Sequence, residues 1–238
     1  MDVEVNTEYC DRIKNNIIGY EPIVKQLAQC REQILQEKPA TIFSVGGGCD
    51  IEIAPLSYLN RESKGDMTVL WFDAHGDLNT PETSTTQAFH GMPLRTLLGE
   101  GDEKILSYAF SVLSPAQIVM LGTRDLDDPE AAYIHEQNIT VLKTEDIEAK
   151  IDDVMNVIQS KGSQNIYVHI DLDALDPVAF PHVPVPPPGG LTVTTLSTLL
   201  KELHEKLNII GLCLVEYQPS EKKTIKILEE IIHMGIML

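Results

Sequence analysis

Residues 68–77 read TVLWFDAHGD and residues 166–177 read IYVHIDLDALDP, so each stretch is a short apolar run that ends in closely spaced acids. Apolar runs without alternating polar residues are typical of parallel strands that are buried on both faces of a sheet. Side chains two residues apart in an extended chain point to the same side, so each stretch directs its polar groups to one place. In an open α/β sheet, ligands bind at the carboxyl ends of the strands, where these acids lie.

Outward from these two stretches, strand patterns alternate with helix patterns along the chain. We predict strands at residues 41–45, 68–72, 116–121, 140–142, 166–170 and 209–215, and helices at residues 20–36, 131–137, 144–160, 192–207 and 222–237. The alternation predicts a three-layer α/β/α fold, in which helices cover both faces of a mainly parallel sheet. No linker or repeat divides the chain, so we expect residues 1–238 to form a single domain, with the proline-rich residues 181–190 as a rigid loop inside it.

The charge balance narrows the classes of partner. The chain has 36 Asp and Glu residues against 18 Lys and Arg residues, which gives a formal net charge of -18. This charge repels phosphate backbones and anionic membrane surfaces, so we expect no nucleic-acid partner and no membrane partner. The same charge attracts cations, including metal ions and guanidinium compounds, although a well-solvated acidic surface explains it equally well.

Cysteine usage and the first residues indicate the compartment. The four cysteines are scattered and form no CxxC pair, which disfavours a disulfide framework. The sequence MDVEVNTEYC at residues 1–10 lacks the apolar core of a signal peptide, and the apolar runs are too short to cross a bilayer. We therefore expect a soluble, cytoplasmic protein.

The two strand-end segments together offer five possible metal ligands. They are Asp73, His75 and Asp77 after the first run, and Asp171 and Asp173 after the second. So many converging carboxylates would repel one another unless cations lay between them. Carboxylate and imidazole ligands suit Mn²⁺-like ions, which often act in pairs in hydrolases. Either segment alone is explained equally well as ordinary turn residues, but the two together favour a two-metal site.

Three further residues have both a structural and a functional interpretation. Cys49 follows the glycines of residues 46–48 and is either a buried small side chain or a metal ligand. The segment lacks the GxxxxGK[ST] pattern of a phosphate loop. His90 precedes Gly91, and a lone histidine before a glycine is more often structural than catalytic. Glu216, at the end of the last strand, is explained by a turn or helix cap as readily as by catalysis.

Taken in order, the motifs resemble those of the arginase, agmatinase and formimidoylglutamase superfamily, the ureohydrolases. The motifs are VGGGCD, WFDAHGDLNTPETS, FHGMPL, GTRDLDDPE, HIDLDALDPV with GGLT downstream, and LVEYQP, and they extend from about residue 42 to residue 219. Within the superfamily, WFDAHGDLNTPETS followed by HGMPL is most similar to arginase. The resemblance implies a hydrolase that cleaves the guanidino C–N bond of arginine or N-hydroxyarginine, giving ornithine plus urea or hydroxyurea.

The resemblance also implies two Mn²⁺ ions bridged by a hydroxide that attacks the guanidinium carbon. One ion would be held by Cys49, Asp73, Asp77 and Asp171, and the other by His75, Asp73, Asp171 and Asp173. Asp77 would handle the proton near the metals, His90 would shuttle protons, and Glu216 would pair with the substrate guanidinium. The α-carboxylate would be bound by Asn79, Ser84 and Thr86, and the α-ammonium by Asp127 and Glu130. Family members commonly form homo-oligomers.

This chain departs from the family pattern at several positions. Cys49 stands where the family has a histidine, and Gly48 stands where it has an acid; a thiolate is softer and shifts metal preference toward Zn²⁺, Co²⁺ or Fe²⁺. Ala88 lacks the polar group expected near the carboxylate end. The usual first strand–helix unit is missing from the pattern, so we expect residues 2–5 to form the first remaining strand, with a sheet edge exposed or covered by a neighbouring subunit.

Two alternatives to an arginase-like activity stay open. One is another amidine hydrolase of the superfamily, such as a formimidoylglutamase-like or guanidino-acid hydrolase, for which Arg95 or Arg124 would bind a second substrate carboxylate. The other is a non-catalytic relative that uses the fold for binding or regulation.

Overall fold

The structure is a computed structural model that describes residues 1–5, 7–219 and 226–238. The strands are β1 (Ile13–Lys14), β2 (Ile17–Ile18), β3 (Ile42–Val45), β4 (Met67–Phe72), β5 (Ile118–Leu121), β6 (Thr140–Leu142), β7 (Asn165–Asp171) and β8 (Asn208–Val215). The helices are α1 (Tyr20–Glu37), α2 (Ile53–Glu62), α3 (Pro93–Leu97), α4 (Glu103–Leu106), α5 (Asp128–Gln137), α6 (Thr144–Ala149), α7 (Ile151–Ser160), α8 (Val193–Lys206) and α9 (Lys226–Ile236). Short 3₁₀ turns lie at Cys49–Glu52, Phe89–Gly91, Pro115–Gln117 and Leu172–Ala174.

Six strands form one parallel sheet in the order β3-β8-β7-β4-β5-β6. All six predicted strands are confirmed, and each begins within two residues of its predicted start. The strands β1 and β2 form a separate antiparallel hairpin before α1. The mainly parallel α/β fold is therefore the predicted one.

Strand β4, with the sequence MTVLWF, is almost entirely apolar because both faces of the sheet are covered there. All six of its residues are buried. Leu70 and Phe72 point to one face of the sheet and pack in the cluster that includes side chains of α7, α8 and α9. Val69 and Trp71 point to the other face and pack in the cluster that includes side chains of α1, α2 and α3. Because both faces are covered, each side chain contributes about 1.5–3 kcal/mol of burial free energy.

The helix predictions are confirmed in part. The predicted helix at residues 144–160 is two helices, α6 and α7, because Lys150 between them adopts an extended conformation (φ −161°, ψ 102°). Helix α2 was not predicted: every residue from Ile53 to Asn60 is buried, so the helix has no polar stripe to reveal its period. Of the predicted helix at residues 222–237, residues 222–225 lie outside the described residues.

The predicted strand at residues 2–5 is wrong. These residues pair with no strand, and β3 forms that edge of the described sheet. The Gln33 side-chain amide donates a hydrogen bond to the carbonyl oxygen of Asp2 at 2.6 Å. This contact ties the segment to α1, and its backbone therefore does not add to the edge of β3.

The strand order brings the carboxyl ends of β3, β8, β7 and β4 side by side. The chain turns out of β3 into residues 46–50, out of β4 into Asp73, and out of β8 into Glu216. These turns form the edge of the sheet where ligands bind in open α/β folds. Among the described residues, no helix is long and apolar enough to cross a membrane.

Candidate metal-binding active site

Backbone amides fix the orientation of the acids that follow β4 and β7. The carboxylate of Asp73 accepts hydrogen bonds from the Trp71 indole N–H at 3.2 Å and from the backbone N–H of His75 at 2.7 Å. Across the sheet, Asp171 accepts from the backbone N–H of Asp173 at 2.7 Å. Asp173 in turn accepts from the N–H of Ala74 at 3.0 Å. The two predicted ligand segments are thus tied to each other.

The six predicted metal ligands come together. His75 Nδ1 lies 2.9 Å from Asp173 Oδ2 and 3.5 Å from Asp73 Oδ1. Cys49 Sγ lies 3.3 Å from Asp171 Oδ2. Four groups of side chains each offer one ligand atom per residue within 4.8 Å of one another: Asp73, His75 and Asp173; Cys49, Asp171 and Glu216; Cys49, Asp73, Asp77 and His169; and Glu52, His169 and Cys213.

The site also has an acceptor that lacks a donor. Asp77 is buried, and its Oδ2 atom has no hydrogen-bond partner among the described residues. An unpaired buried carboxylate oxygen is costly, and a bound cation removes that cost. The donor set of carboxylates, imidazole and thiolate fits divalent transition-metal ions.

The pKa shifts within the cluster also favour a bound cation. Burial, together with the charges of Asp73 and Asp171, raises the pKa of Asp77 well above its usual range. Burial and the nearby carboxylates likewise raise the pKa values of Asp171 and Cys49. Burial lowers the pKa of His75, but hydrogen bonds to the neighbouring carboxylates outweigh it and raise that pKa to about 11. Without a metal ion, the cluster therefore holds protons where cations would otherwise lie.

Two acids of the site adopt left-handed backbone conformations. The φ angle is 54° at Asp77 and 59° at Glu216. Such a conformation costs a residue other than glycine on the order of 1 kcal/mol or more and persists only where the surroundings impose it. The backbone N–H of Glu216 donates to the carbonyl oxygen of Gly47 at 2.7 Å, which holds the turn after β8 against the glycine segment. Both carboxylates belong to the cluster: Asp77 groups with Cys49, Asp73 and His169, and Glu216 groups with Cys49 and Asp171.

A cavity of about 230 Å³ lies over the cluster. Its lining includes every predicted site residue except Asp73, together with Thr85, Gly91, Asp125, Pro184 and Val185. On one wall, His90 Nδ1 lies 3.3 Å from Glu216 Oε1. The hydrogen bond to Glu216 raises the pKa of His90. The side chain of His90 is 43% exposed and that of Glu216 is 11% exposed, so the pair connects the buried floor with solvent.

Another part of the cavity wall is formed by the predicted substrate-binding residues other than Glu216. The Asn79 amide donates to Asp127 Oδ2 at 3.0 Å. Glu130 accepts from the backbone N–H groups of Leu78 and Asp127, each at 3.0 Å, so its carboxylate fixes the loop after β4 against α5. Burial raises the pKa of Glu130.

The two loop hydroxyls predicted to bind the carboxylate also lie together on this wall. Ser84 Oγ lies 3.3 Å from Thr86 Oγ1. Both oxygens also accept hydrogen bonds from backbone N–H groups of the loop, from Gln87 at 3.0 Å and from Ala88 at 3.2 Å. The backbone bonds hold the two hydroxyls at the cavity.

The two arginines considered for a second substrate carboxylate point elsewhere. The Arg124 guanidinium donates to carbonyl oxygens, including those of Asp173 and Pro187 at 2.8 Å, and so ties the proline-rich loop to the end of β7. Arg95 pairs with Glu100 at 2.8 Å and stacks over the ring of Tyr133. Within the described residues, no lysine or arginine lines the cavity.

Sequence reasoning missed one group of the site. His169 is fully buried in β7, and the Trp71 and His169 rings are stacked with centroids 3.6 Å apart. The signal was present, because His169 is two residues before Asp171 and therefore points to the same side of the strand. His169 was not predicted as a site residue because a single histidine between apolar residues is typical of a buried core position.

Comparisons with known proteins identify a family and a fold. A family model described as the arginase family matches residues 2–234. The arginase of Staphylococcus aureus strain MRSA252 is 31% identical over 222 residues, which cover 90% of this chain and 73% of that protein. The structure of Bacillus subtilis arginase superposes with a TM-score of 0.82 at 27% identity, covering 100% of this chain and 82% of that chain. For Entamoeba histolytica arginase, solved in complex with L-ornithine, the TM-score is 0.89 at 23% identity, covering 99% of this chain and 83% of that chain.

Proposed function

Because the chain belongs to the arginase family of metal-dependent hydrolases acting on guanidino compounds, we propose that it hydrolyses the guanidino C–N bond of arginine or N-hydroxyarginine. The products are ornithine and either urea or hydroxyurea. The observation that carries the proposal is a single cavity with ligand groups for metal on its floor and the Glu216 carboxylate on its wall. An acidic floor and wall suit a cationic substrate.

The proposed cofactors are two Mn²⁺ ions, held by the cluster of Cys49, Asp73, His75, Asp77, Asp171 and Asp173. When bound, such ions supply Lewis acidity and make water a nucleophile at neutral pH. The thiolate of Cys49 is the one soft ligand in this set, and it makes Zn²⁺, Co²⁺ or Fe²⁺ an alternative. The hydrogen bonds from Trp71, His75 and Ala74 orient the carboxylates in advance of binding.

Glu216 orients the substrate guanidinium. A carboxylate can accept two parallel N–H bonds from a guanidinium, which fixes the plane of the group as well as its position. Because the Glu216 side chain is mostly buried, this interaction is screened less than a surface ion pair. It places the guanidinium carbon beside the floor of the cavity.

His90 and Asp77 carry the proton steps. Water adds to the guanidinium carbon, the bond from that carbon to the chain nitrogen breaks, and the leaving amine takes up a proton. His90 is half-exposed and its pKa is raised by the hydrogen bond to Glu216, so it can deliver that proton and be recharged from solvent. Asp77, whose carboxylate has one oxygen to spare when the other binds a metal ion, takes up the proton lost by water.

The remaining residues select an amino acid. Asn79, Ser84 and Thr86 offer hydrogen-bond groups for an α-carboxylate, and Asp127 with Glu130 gives negative charge for an α-ammonium. Asp127 is the direct partner, because it is exposed, whereas Glu130 is buried and both of its oxygens accept backbone N–H groups. With no lysine or arginine lining the described cavity, a substrate with a second carboxylate, such as that of a formimidoylglutamase, is disfavoured.

Product analysis tests the proposal. Mn²⁺-loaded protein is offered arginine and N-hydroxyarginine in parallel, and ornithine, urea and hydroxyurea are measured. Ornithine from either substrate supports the proposal, and the ratio of the two rates identifies the preferred one. Protein with confirmed bound metal that releases no ornithine from either substrate would refute it in favour of another amidine. Absence of bound metal would favour a non-catalytic role.

A further inference from the structure

His169 lies beside the metal-ligand cluster, and both the face of its ring and one ring nitrogen have a fixed partner. It is fully buried in β7, and its ring lies flat on the Trp71 indole with an angle of 11° between the planes. Its Nδ1 atom is 2.7 Å from Glu52 Oε1, and Glu52 is also fully buried. A carboxylate accepts hydrogen bonds, so Glu52 keeps a proton on Nδ1, and Nε2 is the nitrogen that can bind a metal ion when the ring is neutral.

The lone pair on Nε2 faces acceptors rather than donors. His169 Nε2 has no hydrogen-bond partner among the described residues, and the nearest carboxylate oxygen is Asp73 Oδ2 at 3.8 Å. Asp73 Oδ2 in turn lies 4.0 Å from Cys49 Sγ. A lone pair directed at a carboxylate is repelled unless a proton or a metal ion lies between them. A carboxylate on one ring nitrogen and a free lone pair on the other is the usual arrangement of a metal-binding histidine.

We propose that His169 is a metal ligand, and that it binds one ion together with Cys49, Asp73 and Asp77 while Glu52 orients the imidazole. The four ligand atoms lie within 4.8 Å of one another, and all four residues are buried. The set explains the unpartnered Asp77 Oδ2 and His169 Nε2 atoms together. It also supplies an imidazole from β7, which neighbours β4, at a site where position 49 is a cysteine. The inference rests on the metal occupancy of the proposed function.

Affinity for Co²⁺ tests the ligand set, because cobalt reports its ligands by absorption. His169→Asn keeps an N–H group for Glu52 and removes the ligand nitrogen. We expect it to bind one of the two ions at least about 100-fold more weakly, and to change the ligand-field bands that accompany the Cys49 thiolate charge-transfer band. Glu52→Gln is expected to weaken the same ion by about 10–100-fold. Cys213→Ala is the matched control, since Cys213 is buried beside the same pair but is not in the proposed set.

The outcomes separate this inference from the proposed function. Wild-type protein that binds no metal would overturn both. Wild-type protein that binds two ions, with unchanged affinity and spectrum in His169→Asn, would overturn only the inference and leave His169 as an ion-pair partner of Glu52. Equal weakening in Cys213→Ala would place the ion among Glu52, His169 and Cys213 and would overturn the proposed ligand set.

A second measurement does not depend on the folding of the His169 variant. In His75→Asn, the other imidazole ligand is removed. Pulsed EPR of this variant loaded with Co²⁺ is expected to show one remaining imidazole nitrogen coupling on the thiolate-bound ion. Loss of every imidazole coupling in this variant would overturn the proposal.

Discussion

Replacing Glu216 by glutamine removes one charge and leaves the size of the side chain unchanged. In the structure, the Glu216 side chain is 11% exposed and has His90 Nδ1 as a neighbour at 3.3 Å. Losing one partner of a largely buried charge pair costs about 2–5 kcal/mol. At about 1.4 kcal/mol per factor of ten, kcat/KM for arginine or N-hydroxyarginine should fall between about 30-fold and several thousand-fold.

Ornithine release by Mn²⁺-loaded protein is the assay, with metal content measured on the same samples. Glu205→Gln is the matched control, because it makes the same change at a side chain that is 54% exposed on α8. We expect Glu216→Gln to keep its metal ions and the control to keep wild-type turnover. Near-normal turnover in Glu216→Gln would refute the role of this residue in orienting the guanidinium.

The same variant predicts a change in the titration of His90. The hydrogen bond to Glu216 raises the pKa of His90, so the imidazolium persists to higher pH in the wild-type protein. With glutamine the pKa should fall toward its ordinary value, and the loss of activity on the alkaline side should begin at lower pH. Titration of His90 by NMR measures the shift directly, and an unchanged pKa would contradict the electrostatic link.

Four further predictions address the metal site and the substrate site. Cys49→His should keep metal and raise Mn²⁺-dependent turnover, whereas unchanged metal content in Cys49→Ala would make Cys49 structural. Chelation should lower stability by about 5 kcal/mol if each of two ions is present at 100 times its Kd, and so lower Tm by about 10–20 °C in calorimetry. The metal-free protein should lose stability as pH rises, because folding raises the pKa values of Asp77 and Asp171 and so favours their protonated forms; stability that rises with pH would contradict this. Asp127→Asn should raise KM about 10-fold for substrates with an α-ammonium group and not for analogues without one, with the exposed Asp128→Asn as its control; an equal effect on both would contradict the assignment.

Local sequence pattern was sufficient for most of the fold. The apolar run of β4 predicts a buried parallel strand because both of its faces are covered, and the same holds for β7. Helix α2 escaped prediction for the opposite reason: burial on all sides removes the polar stripe by which a helix is detected. The break between α6 and α7 depends on the backbone conformation of one residue, Lys150, which no pattern in its neighbours reveals.

The sequence by itself determined which polar groups stand at strand ends, because the alternation of an extended chain is a local property. Asp73 and Asp171 could be assigned to one site from their own segments. Only the tertiary structure decided which strands are neighbours, because pairing joins residues far apart in the chain. The order β3-β8-β7-β4 brings Glu216 within 3.3 Å of His90, 126 residues away. The fold also places His169 2.7 Å from Glu52, 117 residues earlier, so that an apparent core histidine has its free nitrogen directed at the metal-ligand cluster.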